Sequence, residues 1–470
     1  MNILLALLVA VFLPSNCFPQ EIESVNQLFN RFATAHSPGA AVVAVKDGKI
    51  VHSEFYGMAN LEFDIPITAK TIFHIASVSK QFTAFSILLL EEQGKLNVND
   101  KINKYLVDIP EAMNDIRIKH LIHHTSGLRE METLLQIAGI TTADQLGSDY
   151  IYELIKNQNQ LNFQPGEELE YSNTGYFLLA KIVEKVSGES FKNWTSKNIF
   201  LPLSMTDTVF YDDCTAILKN RAFPYWNNNG NLVKGILSYS YVGPTGVNTT
   251  SADLAKWISN FIQIKVGNRI LMDRFLTETD ILKSGKTTDY GFGLGITTYK
   301  NLKVVLHSGH DAAYRAAMLY FPEYKTGLAI LSNYYSINPM EYGFKIADII
   351  LKDFIKNSKP IVNNEDKENS KKGIPFVLSS EKLVDFVGTY FSDELGVAYR
   401  LSIQDNNLVA RYWRNDNVLI TPENADKFKG DQSWFENVKF VRNHSNVVIR
   451  FILSSDRVRN IPFEKIVIAE

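Results

Sequence analysis

The sequence predicts an α+β fold in which an antiparallel sheet is flanked by helices and carries a helical subdomain, with a small antiparallel β unit at the C-terminus. Three observations carry this prediction. Strand-like apolar runs occur near residues 40–55 and return at 293–332, so one sheet is completed by strands far apart in the chain. Between them, residues 82–260 are dominated by helical periodicity and connecting loops. After a polar stretch at 356–375, short alternating runs separated by turn residues continue almost to the end.

The chain opens with an apolar run over residues 3–13, followed by Pro14, Ser15, Asn16 and Cys17. That run is too short to span a bilayer and matches a signal-peptide apolar segment, so residues 1–17 are expected to be removed on export, giving a periplasmic or extracellular protein. Lipidation at Cys17 would instead give a membrane tether, although Pro14-Ser15-Asn16 is a poor match to the segment that precedes a lipidated cysteine. The only other cysteine is Cys214, so a chain cleaved after Cys17 holds no internal disulfide. Residues 40–45, the Asp47-Gly48 turn and residues 49–55 read as a β-hairpin. Further strands are expected at 293–298, 304–306, 316–321 and 327–332, and a closing amphipathic helix at 342–355. The segment 356–375 is rich in Lys, Asn, Glu, Asp and Ser and reads as a solvated, separable linker. Beyond it, runs at 386–391, 397–404, 408–414, 438–442 and 447–453 form an antiparallel meander, with Asp405-Asn406-Asn407 and Asn443-His444-Ser445-Asn446 as turns.

Composition fits a well-cored protein: 470 residues, 45% hydrophobic and 21% charged, are enough for one large core and a smaller one. The net charge of −3 and the lack of a long basic run, Lys371-Lys372 being too short, exclude nucleic acid as the expected partner.

Three motifs carry chemistry. Ser77-Val78-Ser79-Lys80 stands just before the apolar run 82–90. A helix beginning there places Ser77 and Lys80 on one face, with Cβ atoms about 5–6 Å apart. Burial and the positive helix end both disfavour an ammonium, so the lysine can fall from about 10.4 toward roughly 7–8 and serve as a base for Ser77 as nucleophile. The free N–H of Ser77 suits an oxyanion. Alone, S-x-x-K is more often an ordinary polar helix start. Tyr171-Ser172-Asn173 follows the turn Gln164-Pro165-Gly166 and precedes the helical pattern 176–186, placing Y-x-N on a loop at a helix entrance. A Tyr171 phenolate beside an ammonium can take the serine proton and return it to a leaving group, while the Asn173 amide can hold the lysine and a substrate carbonyl; capping a turn is the commoner role of such residues. His307-Ser308-Gly309 ends an apolar strand, where Gly309 lets a substrate backbone lie close and His307 is either a catalytic or a structural histidine.

His120, His123 and His124 look like a metal cluster, but no acidic partner lies at a useful spacing, and neither metal nor organic cofactor is expected. No G-x-S-x-G elbow, G-x-G-x-x-G or P-loop pattern occurs.

Taken together, these motifs resemble the penicillin-recognising serine hydrolases: class C β-lactamases, D,D-peptidases, D-aminopeptidases and family VIII esterases. The resemblance includes the whole segment from Phe73 to Ala84, the His124-Thr125-Ser126-Gly127-Leu128 element, Pro165-Gly166 leading to Tyr171 through Tyr176, Pro202-Leu203-Ser204-Met205 and Ser251-Ala252-Asp253-Leu254. It covers roughly residues 22–355 as the hydrolase domain, with 376–470 similar to the lipocalin-like barrel appended to some relatives. It implies that Ser77 is acylated, that Lys80 and Tyr171 share the base and acid roles, that Asn173, His307 and Gly309 bind or orient substrate, and that the backbone N–H groups of Ser77 and His310 form the oxyanion hole. His307 stands where many relatives carry lysine, and a neutral histidine offers no fixed charge to a substrate carboxylate. The loop 241–246 is poorer in glycine than in relatives, and Ala313 sits where glycine is usual before Tyr314, so a narrower pocket wall is expected. The implied function is an exported serine hydrolase acting through an acyl-enzyme on D-amino-acid-containing peptides or small esters. β-Lactamase or penicillin-binding activity is the alternative, and a non-catalytic peptide or cell-wall binding protein the rival of another class. Capping the active-site cleft, mediating a homo-oligomer and binding a ligand are all open to the barrel, and a stabilising or oligomerising module is the leading expectation.

Overall fold

The computed structural model describes residues 19–34, 36–141, 143–355, 376 and 378–466. The expected signal peptide with Cys17 and the expected linker 356–375 lie outside the described residues. Among the latter, no helix is long and apolar enough to cross a membrane.

Strands β1 (Ala40–Lys46) and β2 (Lys49–Tyr56) form the expected hairpin. Asp47 and Gly48 both take positive φ, +50° and +78°, the two-residue turn whose twist matches its strands. The other strands are β3 (Gly295–Tyr299), β4 (Leu302–Asp311), β5 (Tyr314–Phe321) and β6 (Thr326–Ser332). They assemble in the order β3-β4-β5-β6-β1-β2, antiparallel throughout, with Ala40 opposite Ser332 and Lys46 opposite Thr326. β1 is apolar at nearly every position because both sheet faces are covered. Ala41, Val43 and Val45 join the core beneath helix α5 (Ser251–Ile262), whereas Ala40, Val42 and Ala44 pack with Phe29 of α1 (Pro19–Phe29) and Tyr342 and Ile346 of α6 (Pro339–Ile350). Each fully buried valine here contributes about 1.5–3 kcal/mol.

The helical middle supplies α2 (Lys80–Glu92), α3 (Met131–Ile137) and α4 (Asn173–Ser187). α2 is buried from Lys80 to Leu90 and packs against α4. Ser172 caps α4, its hydroxyl accepting from the Gly175 N–H, and Gly188 ends it in the left-handed conformation.

The C-terminal meander closes into an eight-stranded barrel: β7 (Gly388–Ser392), β8 (Val397–Gln404), β9 (Asn407–Arg411), β10 (Val418–Pro422), β11 (Lys427–Gln432), β12 (Phe435–Arg442), β13 (Val448–Ser455) and β14 (Val458–Ile466). β7 closes onto β14, Thr389 standing opposite Ile466. Aromatic rings fill the interior, including Tyr390, Tyr399, Phe435 and the stacked pair Phe451–Phe463. The barrel docks on the helical middle, and one apolar cluster runs continuously between them. At the seam the buried Arg129 guanidinium donates to Glu394, to Gln158 and to the carbonyls of Arg459 and Asn460. Tyr399 donates to the carbonyl of Ile137, and Arg414 to that of Gly139.

Candidate active site

The three motifs meet in one cleft. A 3-10 turn, Ala76–Ser79, precedes α2, so Ser77 stands in a tight turn ahead of the α-helix rather than within it. Ala76 takes φ +47°, a conformation costly for a residue with a Cβ. β4 presses on this turn, and at Gly309 a Cβ would sit 2.2 Å from the Ile75 carbonyl oxygen. The neighbour that requires glycine at 309 is thus the protein's own backbone.

Lys80 is fully buried beside Ser77. Its Nζ lies 3.1 Å from Ser77 Oγ, 2.6 Å from Asn173 Oδ1 and 2.9 Å from the Pro244 carbonyl oxygen. Desolvation pushes the amine down to about 7, against the opposing pull of Glu132 and Glu130; Arg457 adds to the lowering. In the neutral form, two N–H bonds are taken by Asn173 and Pro244, which leaves the lone pair for the Ser77 hydroxyl. Pro244 belongs to the 241–246 loop, anchored where Thr83 donates to the Gly243 carbonyl at 2.7 Å.

Tyr171 stands on the loop entering α4, its ring 4.7 Å from Lys80 Nζ. Burial raises its phenol well above the ordinary range, with the Ser77 hydroxyl opposing. Burial thus favours the phenol over the expected phenolate, and of the two groups the lysine amine is the one whose shift favours its free-base form. Asn173 begins α4 and donates its backbone N–H to Glu130 Oε2 at 2.7 Å.

His307 faces Tyr171 across the cleft, ring centroids 6.2 Å apart. Its Nδ1 lies 2.6 Å from the Ser308 carbonyl, to which it donates, leaving Nε2 to accept from Tyr290 at 2.9 Å. Burial, with Lys80 adding, pushes the imidazole down to about 3, so it is uncharged. His310 lines the cleft beside Ser77. His120, His123 and His124 serve separate local contacts. His120 Nδ1 accepts from the Arg117 N–H, His123 Nδ1 donates to the Tyr290 carbonyl, and His124 Nδ1 accepts from the Ser172 N–H while its ring packs 4.3 Å from Tyr171.

Sequence reasoning missed the acidic wall. Glu132 on α3 and Asp311 at the end of β4 line the same cavity of about 140 Å³ as Ser77 and Asn173. Desolvation, with Glu130 and Asp311 adding, pushes the Glu132 carboxyl up to about 8. Asp311 Oδ2 is held by Tyr239 and lies 3.0 Å from His74 Nε2. Glu132 follows the H-T-S-G-L element by only four residues, a signal available in the chain; Asp311 follows Gly309 by two. The barrel also arrives here, since Arg457, in the turn between β13 and β14, donates to the Tyr171 carbonyl at 3.0 Å.

The Beta-lactamase family model matches residues 25–342. Penicillin-binding protein 4* of Bacillus subtilis (strain 168) is 27% identical over 423 residues, covering 85% of this chain and 90% of that protein. A D-aminopeptidase of Gluconobacter oxydans (strain 621H) is 26% identical over 413 residues, covering 87% and 72% respectively. Among solved structures, the octameric penicillin-binding protein homologue from Pyrococcus abyssi superposes with a TM-score of 0.63 at 24% identity, over 95% of this chain and 100% of that one.

Proposed function

The chain belongs to the Beta-lactamase family and is a serine hydrolase, and from that premise we propose that it forms an acyl-enzyme on Ser77 and cleaves amide bonds of short D-amino-acid peptides bearing a free amine. The observation that carries this reading is the Lys80 amine, pushed down to about 7 and 3.1 Å from Ser77 Oγ, with competing acceptors for both of its N–H bonds. Ser77 Oγ adds to the substrate carbonyl carbon while its proton passes to Lys80. The oxyanion is held by the backbone N–H groups of Ser77 and His310. Collapse breaks the C–N bond; the leaving amine takes a proton from the Tyr171 phenol, which regains one from Lys80. Water, deprotonated by the same route, then releases Ser77. Asn173 orients the lysine throughout, and His307 and Gly309 shape the facing wall.

The acidic wall supports the choice of an amine-bearing substrate. With His307 uncharged, Glu132 and Asp311 leave the cleft without a fixed cation for a substrate carboxylate, while an incoming ammonium would let Glu132 ionise. β-Lactams, which carry a carboxylate, are accordingly slow substrates or inhibitors. Small esters are the second reading, because a leaving group as weakly basic as p-nitrophenolate departs without a proton from Tyr171.

Intact-mass analysis after exposure to a fluorophosphonate tests the nucleophile. Wild-type protein is expected to gain one adduct and Ser77→Ala none; labelling of the mutant at full rate would remove Ser77 from its role. A panel of D- and L-aminoacyl amides, their N-acetylated forms, p-nitrophenyl esters and a penicillin then ranks the substrates. Export after loss of residues 1–17 is proposed on the apolar run alone, and N-terminal sequencing of secreted protein decides it. Homo-oligomer formation is proposed because the Pyrococcus homologue is described as octameric, and light scattering measures it.

A further inference from the structure

The barrel reaches the site through the Arg457 side chain. Arg457 occupies the short turn between β13 and β14 and is mostly withdrawn from solvent. Its Nη1 donates to the Tyr171 carbonyl at 3.0 Å and lies 3.6 Å from Glu130 Oε2. That same carboxylate oxygen accepts the Asn173 N–H at 2.7 Å, and the Arg457 carbonyl accepts from the Glu130 N–H at 3.1 Å and from Asn162 Nδ2 at 2.8 Å. The turn is therefore held by Glu130 before α3, by Asn162, and by the single helix entrance that carries both Tyr171 and Asn173. The guanidinium carbon also lies 5.7 Å from the centroid of the Tyr171 ring, against which the Lys80 amine packs at 4.7 Å.

We propose that Arg457 is a positioning residue of the hydrolase reaction, supplied by the barrel to fix Tyr171 and Asn173 through their backbones and to place a permanent cation behind Lys80. The barrel is then a working part of the site and not only a stabilising module. This rests on the reading of Lys80 as the base. The charges around that amine are Glu130 and Glu132 from the segment at α3, Asp311 from β4 and Arg457 from the barrel; His124, His307, Tyr171 and Tyr176 also surround it. Arg457 is the one permanent cation in this set, and it opposes protonation of Lys80 while the three carboxylates favour it. Two like charges sharing one ring across a dry site interact by about one pH unit.

The experiment compares full-length wild-type protein with Arg457→Gln, Arg457→Lys and Arg459→Gln. Arg459 is a control from the next strand, gripping Glu168 and Glu170 on the outer side of the same seam. Two readouts are taken: the Lys80 titration midpoint, by NMR of carbon-13-labelled lysine assigned with Lys80→Arg, and the pH profile of Ser77 phosphonylation by a fluorophosphonate, which stands in for acylation. Arg457→Gln should raise the Lys80 midpoint by about one unit, move the acidic limb of acylation upward to match, and slow acylation at least tenfold at pH 7. Arg457→Lys should restore the midpoint but not the full rate, since a shorter lysine keeps the charge and loses the guanidinium in which Nη1 meets the Tyr171 carbonyl and Glu130 while Nε is held by Asp456. Arg459→Gln should change neither. If Arg457→Gln fails to fold, the Lys and Arg459 variants still decide, because equal rates in both and in wild type would overturn the proposal. An unmoved Lys80 midpoint in folded Arg457→Gln would overturn its electrostatic half. The NMR arm needs no turnover, so a protein that never labels would count against the acyl-enzyme reading without deciding the role of Arg457.

Discussion

The two walls of the cleft are built on opposite principles. On one side Ser77, Lys80, Asn173 and Pro244 form a dry arrangement in which the amine has a partner in every direction. On the other, Glu132 and Asp311 bring carboxyl groups into the same cavity, Glu132 pushed up to about 8 by burial and Asp311 held by Tyr239 beside His74. In the proposed reading the first wall makes a base by withholding solvent, and the second makes a receptor whose Glu132 carboxyl ionises when an ammonium arrives. Both rely on desolvation, but one turns it to reactivity and the other to selectivity.

The widest gap between the walls should appear when the base is removed. Lys80→Ala is expected to slow acylation by about 10³-fold while leaving noncovalent substrate affinity nearly unchanged. Tyr171→Phe should be similarly slow, and the double mutant little slower than either, because the two residues pass one proton between them; multiplying costs would break that linkage. In wild-type protein the base works only unprotonated, and Lys80 is pushed down to about 7. The acylation rate should therefore rise about tenfold per unit below pH 7 and level off above it, as read by stopped-flow labelling.

The acidic wall is expected to respond to its foundation. Glu394→Gln strips the buried Arg129 of its carboxylate partner at the barrel seam, one residue from Glu130. Chemical denaturation should show a loss of about 3 kcal/mol, because an unpaired buried cation remains. Glu132→Gln is expected to raise KM for amine-bearing substrates by about 10–30-fold and to leave their N-acetylated forms unaffected. If both substrates suffer alike, the wall is structural and the contrast fails. The smallest effect concerns the β4–β5 turn, where Ala312 takes φ +41° at a position suited to glycine. Ala312→Gly should stabilise the fold by about 0.5–1 kcal/mol in thermal melts and leave kinetics unchanged.

How much of this was legible in the sequence follows the same division. The reactive wall is spelled out in short spaced steps, because Ser77 and Lys80 must share one turn and Tyr171 and Asn173 one helix entrance. The hairpin at Asp47-Gly48 and strand β8 were readable for a similar reason, since their determinants are local. The receptor wall was not, because a lone glutamate after H-T-S-G-L and an aspartate after Gly309 carry no spacing of their own. Three barrel strands also escaped notice. β10 has only Val418 and Ile420 pointing inward. β11 shows one large apolar side chain, Phe428, among lysines and an aspartate. β14 contains Pro462, and its alternation is broken at Asn460, where φ is +60°. Arg457 was invisible for a further reason: its meaning depends on a docking geometry that no local pattern encodes.

The sheet register has a consequence during synthesis. β1 meets its partner only when Ser332 has been made, although Ala40 emerges near the start. At about 5–20 residues per second, a nascent chain carries that apolar strand for roughly 15–60 s with one edge unpaired. Until β6 arrives, an open strand edge whose one charge is Lys46 at its end is a template for any other chain. Ribosome stalling or truncation anywhere between the two strands should therefore yield aggregates in place of soluble fragments.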